Sequence, residues 1–519
     1  MTLNFVRANS RMRFRLRPYV QLAFSAFVVA FAAASPFNSA AAAPLLAGVG
    51  KVDITNDDVP LVNDRMYARA LVIQDGKTTA VIVSVDAVAI GEIGPINNEY
   101  LGIVRSQIEK DLGISPKNIM INASHCHGIV RGDSAELTVQ AIKEATGNLV
   151  PVTVGVGIGH EDRVQENRRL KLKSGKEADV RHAYSLPPDE EVVGVGPIDP
   201  EIGILKVDRE DGTTLAVAYV FACHPIQGVP NGGNTADMTG FSSKAIEESL
   251  GDGAVAVFVQ GCGGDINPIF YKAVDYPRDA EPLGDMLGLS VLKGLHSIKT
   301  DGNQELKVIN ETIAVPRADL ADRIAAQESE VTRLVQSLRA TSLNLKTFLP
   351  LVMKYRLNEE FPTYYSHSYL NEVMVGRDGL TKLDAQNRAN MESYIKNIHT
   401  MEQLTITQTN LALLKKNQAK NVASGSRTID VELVGLRVGD FVLTTFPGEL
   451  TVQIGLTLKE MSPHENTFVA GYTNGYIYYC PTPEQLKNVG NAQEDSDCIL
   501  APEWYPIYEA RAVELLKKL

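Results

Sequence analysis

The chain has 519 residues, 44% of them hydrophobic and 22% charged, with a formal net charge of −12. That is enough apolar material for a large core and more length than one typical domain needs. An acidic surface of this kind argues against nucleic acid or an anionic membrane as partner.

Residues 1–43 read as a secretory leader. Arg7, Arg11, Arg13, Arg15 and Arg17 precede an apolar run from Val20 to about Ala34 and then small residues, with cleavage expected near Ala43. The run is shorter than the roughly 20 residues that span a bilayer, and no Cys follows it for lipid attachment. The expectation is a periplasmic or secreted protein, with no stable membrane span once the leader is removed. Because the leader holds five Arg and no acid, the remaining 44–519 carry about −17.

Three segments then repeat a strand, a tight turn and a second strand that ends on a reactive side chain. Ala70 to Ile73 turns at Asp75-Gly76 into Thr79 to Val85 and reaches Asp86; Ile204 to Val207 turns at Asp211-Gly212 into Leu215 to Phe221 and reaches His224. Val431 to Val438 turns at Gly439-Asp440 into Phe441 to Thr445 and reaches Glu449. Asp-Gly between alternating apolar runs is a hairpin signal. Asn118 to Ile121 and Ala254 to Gln260 are further buried strands, and helices are expected over Glu99 to Leu112, Ala135 to Thr146, Phe241 to Leu250 and Gly284 to Leu295.

From about 318 to 421 the character changes. Ala318 to Leu343 and Arg388 to Lys416 are rich in helix formers and flank a Tyr-rich stretch from Phe361 to Tyr369. This reads as a helical insertion, either a lid or a helix pair packed on the core. The fold class is therefore α/β, with mixed sheets, hairpins, flanking helices and a helical insertion.

Five polar signals each follow an apolar run: Ser124-His125-Cys126-His127-Gly128, Cys223-His224-Pro225, Gly263-Gly264-Asp265, Pro447-Gly448-Glu449 and Asn474 to Tyr479. Histidine, carboxylate and phenolate together can bind zinc with an open position for water. His125 and His127, two apart, would point the same way on a continuing strand. The Asp and His that continue a metallo-β-lactamase motif are replaced by Gly128 and Ile129, and Gly261 to Pro268 lacks the Lys and Ser/Thr of a phosphate-binding loop. Glu449 opens an apparent helix from Leu450 to Met461, where an acid favours the dipole, and Asp265 is placed to orient a ligating His. Cys126, Cys223 and Cys262 read as small core residues, whereas Cys480 and Cys498 are close enough in sequence to pair in an oxidising compartment.

The order of Gly48 to Thr55, Ser124 to Gly128, Asn167-Arg168, His224, Gly264 to Pro268, Pro447 to Thr451 and Asn474 to Tyr479 resembles the neutral, non-lysosomal ceramidase family, from about Gly48 to the end of the chain. The resemblance implies a zinc site on His125, His224, Glu449 and Tyr479. It places His127 beside the reacting water and carbonyl, Arg168 as carbonyl or oxyanion partner, and Tyr476 near the same site as a hydrogen-bond donor. Where the family has a catalytic serine this chain has Asn267, which is left to contact substrate without acting as a nucleophile. The chain stops soon after the last Tyr motif, so the family's C-terminal immunoglobulin-like domain is expected to be absent. The expected activity is zinc-dependent hydrolysis of an amide bond in an N-acyl or peptide-like small molecule, with His127, Arg168 and Tyr479 as the catalytic set. Ester or lactone cleavage is the first alternative, and a secreted protein that binds a ligand without turnover is the second.

Overall fold

The computed structural model describes residues 45–519 apart from 60, 180–185, 229–232, 272, 274, 303, 363, 364, 489 and 491. The leader and its cleavage point, and Thr363 and Tyr364 of the Tyr-rich stretch, lie outside the described residues.

Strands β1 (Leu46–Asp53), β2 (Tyr67–Gln74) and β3 (Thr79–Val85) are followed by helix α1 (Tyr100–Leu112), β4 (Ile119–Ala123), α2 (Ser134–Gly147) and β5 (Val150–His160). Four short strands follow, β6 (Gln165–Asn167), β7 (Arg169–Leu172), β8 (Glu177–Asp179) and β9 (Val192–Val195), then the hairpin of β10 (Glu201–Arg209) and β11 (Thr214–Phe221). Helix α3 (Asp237–Leu250), β12 (Val255–Gln260), β13 (Ile266–Pro268) and α4 (Glu281–Leu295) complete this half. Its main sheet has eight strands in the order β12-β11-β10-β5-β1-β2-β3-β4, mostly antiparallel, with β3/β4 and β11/β12 parallel.

A second sheet orders β14 (Leu306–Pro316), β15 (Thr428–Val438), β16 (Phe441–Thr445) and β18 (Thr467–Ala470), with β16/β18 parallel; β17 (Glu449–Leu450) and α9 (Val452–Met461) lie between β16 and β18 in the chain. The strand β19 (Tyr479–Cys480) pairs in parallel with β17. Short helices α10 (Pro483–Leu486) and α11 (Gln493–Ser496) then lead to α12 (Trp504–Lys518). Between β14 and its partner β15 stand α5 (Ala321–Ser337), α6 (Leu345–Leu357), α7 (Ser366–Met374) and the 45-residue α8 (Gly379–Ala423).

Period-two alternation builds the layers. Ala216, Ala218 and Val220 of β11 face the second sheet, where they pack with Leu443 and Phe468, while Val217, Tyr219 and Phe221 face Leu287 and Val291 of α4. On the other half of the main sheet, Val81, Val83 and Val85 lie against α1 and α2. Helix α2 approaches β1 so closely that a Cβ at Gly50 would lie 2.1 Å from the Ala141 carbonyl oxygen, so glycine is required there. The result is an α/β fold of two facing sheets with helices outside them. The parallel pairs β3/β4, β11/β12 and β16/β18 all discharge their carboxyl ends into the loops that carry the polar motifs, the usual place for a site in such sheets.

Candidate metal centre

His125 follows the end of β4 in a loop rather than on a continuing strand, so the shared face expected for His125 and His127 does not form. Its backbone is left-handed, at φ +69°, and is held by its amide donating to the Ala87 carbonyl at 2.9 Å. The ring is buried and its Nδ1 lies 2.5 Å from the Val88 carbonyl. His224 follows β11, with Nδ1 2.5 Å from the Gly263 carbonyl and 3.0 Å from that of Ile266. Carbonyl oxygens only accept, so both Nδ1 atoms carry the proton and both Nε2 atoms present lone pairs. Asp265 was expected to orient a histidine, but the carbonyls do it. Its carboxylate instead accepts from Val452 N at 2.7 Å, at the start of α9, and from Asn167 Nδ2 at 3.2 Å.

Glu449 belongs to β17, not to the first turn of the helix that follows, because its residue pairs in register with Tyr479 and Thr451 caps α9. Its Oε2 lies 3.1 Å from His224 Nε2 and 3.5 Å from His125 Nε2, and Tyr479 Oη lies 3.3 Å from His224 Nε2. One donor atom from each of His125, His224 and Glu449 falls within 4.8 Å of the others, and all three side chains are buried. Burial pushes His125 down to about 4 and lowers His224 as well, against the pull of Glu449. Two neutral imidazole lone pairs facing a carboxylate repel one another unless a cation lies between them. The donor set of two nitrogens, one carboxylate and one phenol oxygen therefore fits a divalent ion such as zinc.

Tyr476 donates to Glu449 Oε1 and Tyr472 to Oε2 at 3.2 Å. Burial, then the Glu449 charge, raises both phenols well above their usual range, so they remain donors that fix the carboxylate. Tyr472 was missed in the sequence; it sits at φ +52° in the loop that also holds Asn474 at φ +58° and Tyr478 at φ +65°. A run of bulky residues in that conformation is a strained, over-determined loop, and a linear motif cannot show it. Gly264 lets the Gly-Gly-Asp turn meet the Glu449 strand: its amide donates to the Leu450 carbonyl at 2.8 Å, and a Cβ there would lie 2.6 Å from the Glu449 carbonyl oxygen.

Arg168 is fully buried rather than a surface cation. Its Nε donates to Glu494 at 2.5 Å, Nη1 to Asn267 Oδ1 at 3.0 Å, and Nη2 to the Gly264 carbonyl and to Tyr479 Oη, the latter at 3.3 Å. Burial works against its charge more than any single neighbour supports it, but Glu494, Tyr479 and Asp179 together outweigh burial and keep the guanidinium protonated. Glu494, also missed in the sequence, is shared with Arg169 at 3.2 Å. Asn267 has its amide Nδ2 buried with no hydrogen-bond partner among the described residues. His127 is exposed, its ring edge-on to His125 at 5.4 Å between centroids, so it stands on the solvent side of the cluster. All five cysteines are buried free thiols, Cys480 and Cys498 included. Burial raises each of them, which removes them as nucleophiles.

A scan against protein-family models and a search of curated proteins each give no match. Among solved structures, the chain is similar to the neutral ceramidase from Pseudomonas aeruginosa, with a TM-score of 0.57 and 16% identity over 92% of this chain and 75% of that one. It is also similar to a ceramidase complexed with C2, with a TM-score of 0.56 and 16% identity over 92% of this chain and 76% of that one. At that identity the likeness is one of fold.

Proposed function

We propose that this protein is an exported, zinc-dependent hydrolase that cleaves the amide bond of an N-acyl or peptide-like small molecule. The observation that carries the reading is the buried convergence of His125 Nε2, His224 Nε2 and Glu449 Oε2, with both Nδ1 atoms pinned to carbonyls. Tyr479 completes the ligand set. The likeness in fold to two ceramidases supports an amide as the scissile bond, and the basic-then-apolar start of the chain supports export to the periplasm or beyond. Among the described residues no helix is long and apolar enough to cross a membrane.

When bound, zinc supplies Lewis acidity, bringing the pKa of water from about 15.7 towards 7 and polarising a carbonyl. The protein does the rest. His127, at the solvent face, accepts the proton of the attacking water and returns it to the departing amine nitrogen, a transfer suited to an imidazole near neutrality. Asn267 donates its Nδ2 hydrogens to the substrate carbonyl oxygen as negative charge grows there. Arg168 holds Asn267 and Tyr479 in place and contributes positive charge behind them. Tyr472 and Tyr476 keep Glu449 from rotating.

Metal analysis of the purified protein, with turnover assayed on N-acyl amides, esters and lactones before and after chelation, tests this reading. One bound zinc per chain and amide cleavage lost on chelation and restored by zinc are expected. Full activity in metal-free protein overturns it; preferred ester or lactone cleavage, or metal without turnover, replaces the amide assignment.

A further inference from the structure

Helix α8 of the insertion packs on the segment that carries α11, next to the cluster in the chain of hydrogen bonds. On α8 the residues Thr407, Asn410, Leu414, Asn417 and Asn421 recur at spacings of three and four and are all buried, so they form one face. Three of them are asparagines, an unusual choice for the inner face of a helix unless their amides have work to do. Each spends its Nδ2 on the backbone of the segment that carries α11. Asn410 donates to the Gly490 carbonyl at 3.3 Å and Asn417 to the Ser496 carbonyl at 3.2 Å and Asp497 Oδ1 at 3.4 Å. Asn421 donates to the carbonyls of Ile499 and Ala318, both at 2.9 Å.

That segment reaches the cluster twice. Glu494 on α11 receives Arg168 Nε, and Arg168 donates to Tyr479 Oη. The Asp497 carbonyl receives the Tyr479 amide at 3.2 Å. The phenol oxygen and the backbone of Tyr479 are therefore both set by residues 494–497, and α8 grips those residues through Asn417.

We propose that the insertion is a positioning element for the metal centre and that Asn417 is its principal positioning residue, fixing Tyr479 and Arg168 through the 494–497 turn. Asn417 touches neither substrate nor metal. The inference rests on the metal reading above, and it adds a function for the arm that a lid does not require. Partners behind a ligand commonly alter metal affinity by about 10–100-fold when removed.

The test compares Asn417→Leu with Asn421→Leu in the full chain. Both remove an amide that donates twice to backbone or side-chain oxygens, and only the first touches 494–497. Zinc affinity by chelator competition, the visible spectrum of the cobalt(II)-loaded protein, and kcat and KM are measured on each. Asn417→Leu is expected to bind zinc about 10–100-fold more weakly, to show an altered cobalt spectrum and to lose kcat with little change in KM. Asn421→Leu is expected to lose stability but to keep the wild-type affinity and spectrum. If Asn417→Leu does not fold, Asn417→Ser carries the same comparison. Wild-type affinity and spectrum in the Asn417 variant overturn the inference and leave the metal reading intact. Equal weakening in both variants also overturns it, because general loosening then explains the loss. Failure of the wild-type protein to bind any divalent metal is the separate result that removes the metal reading itself.

Discussion

His125 and His127 are two residues apart, yet the structure gives them opposite surroundings, one buried with Nδ1 on a carbonyl and one exposed to solvent. Their substitutions should therefore separate. His125→Ala removes a ligand and should abolish both zinc binding and turnover. His127→Ala should retain zinc within about twofold and lose roughly 10²–10⁴ in kcat, the usual worth of a general base. Equal metal loss in both variants would contradict the assignment of His127 to proton transfer. A second residue-scale prediction concerns Asp64, whose carboxylate accepts from Thr235 Oγ1 and from Ala236 N at 2.8 Å. Burial raises it from 3.8 to about 6. A carboxyl group with a raised folded-state pKa favours the folded protein most when protonated, so this contribution is complete below about pH 4 and is lost as pH rises through about 6. Asp64→Asn should therefore be more stable than wild type at pH 8, by on the order of 1 kcal/mol for a partly exposed group. Its advantage should vanish by pH 4. Melting temperatures of the two proteins across pH 4–8 check this, and a variant less stable at pH 8 refutes it.

At the scale of elements, the clearest case is the turn that bears Asp265. Its carboxylate caps the first amide of α9 and receives Asn167, whose own Oδ1 accepts the Arg169 amide at 2.8 Å. Asp265→Ala leaves the buried Val452 amide unmet and takes one of two acceptors from Asn167 Nδ2, which keeps the Pro197 carbonyl at 2.7 Å; it should cost roughly 1–3 kcal/mol. Asp265→Asn, which keeps one acceptor, should cost less; urea midpoints of the two variants decide the order. The same region shows what was legible in the sequence and what was not. The three hairpins were, because Asp-Gly or Gly-Asp between alternating apolar runs specifies both strand and turn, and β2/β3, β10/β11 and β15/β16 pair as those patterns demand. Of the four ligand candidates, His125 and His224 stand just after strand ends, as the sequence pattern reads, whereas Glu449 and Tyr479 lie on the two-residue strands β17 and β19. Glu449 was misplaced because a two-residue strand has no periodicity and the helix after it does. Tyr472, Glu494 and the carbonyls behind each histidine were invisible for another reason: their importance lies in long-range backbone placement, and neither spacing nor composition encodes it.

The whole molecule divides the insertion into a half that serves the body and a half that does not. Helix α5 runs back along α8, and where it ends Arg339 N donates to Asn397 Oδ1 at 3.2 Å while Asn397 Nδ2 donates to the Arg339 carbonyl at 2.6 Å. The buried face of α8 that meets the 490–499 segment begins only at Thr407. Beyond Asn397 lie α6, α7 and the first part of α8, where Tyr355 and Tyr369 both donate to Asp384 and make a small local core of their own. From Asp384 to Asn417 the helix rises about 50 Å at 1.5 Å per residue, too far for this tip to touch the ligand cluster along the helix axis. A protein in which residues 340–396 are replaced by a short turn joining Arg339 to Asn397 should therefore fold, bind zinc with wild-type affinity and keep kcat on a small soluble amide within about twofold. Loss of Leu345, Leu349, Met353, Leu357, Val373 and Met374, all more than half exposed, should also make it more soluble. Chelator competition and steady-state kinetics on the shortened chain are the measurements. If zinc affinity falls as far as in Asn417→Leu, the tip is coupled to the centre and the division at Thr407 is wrong.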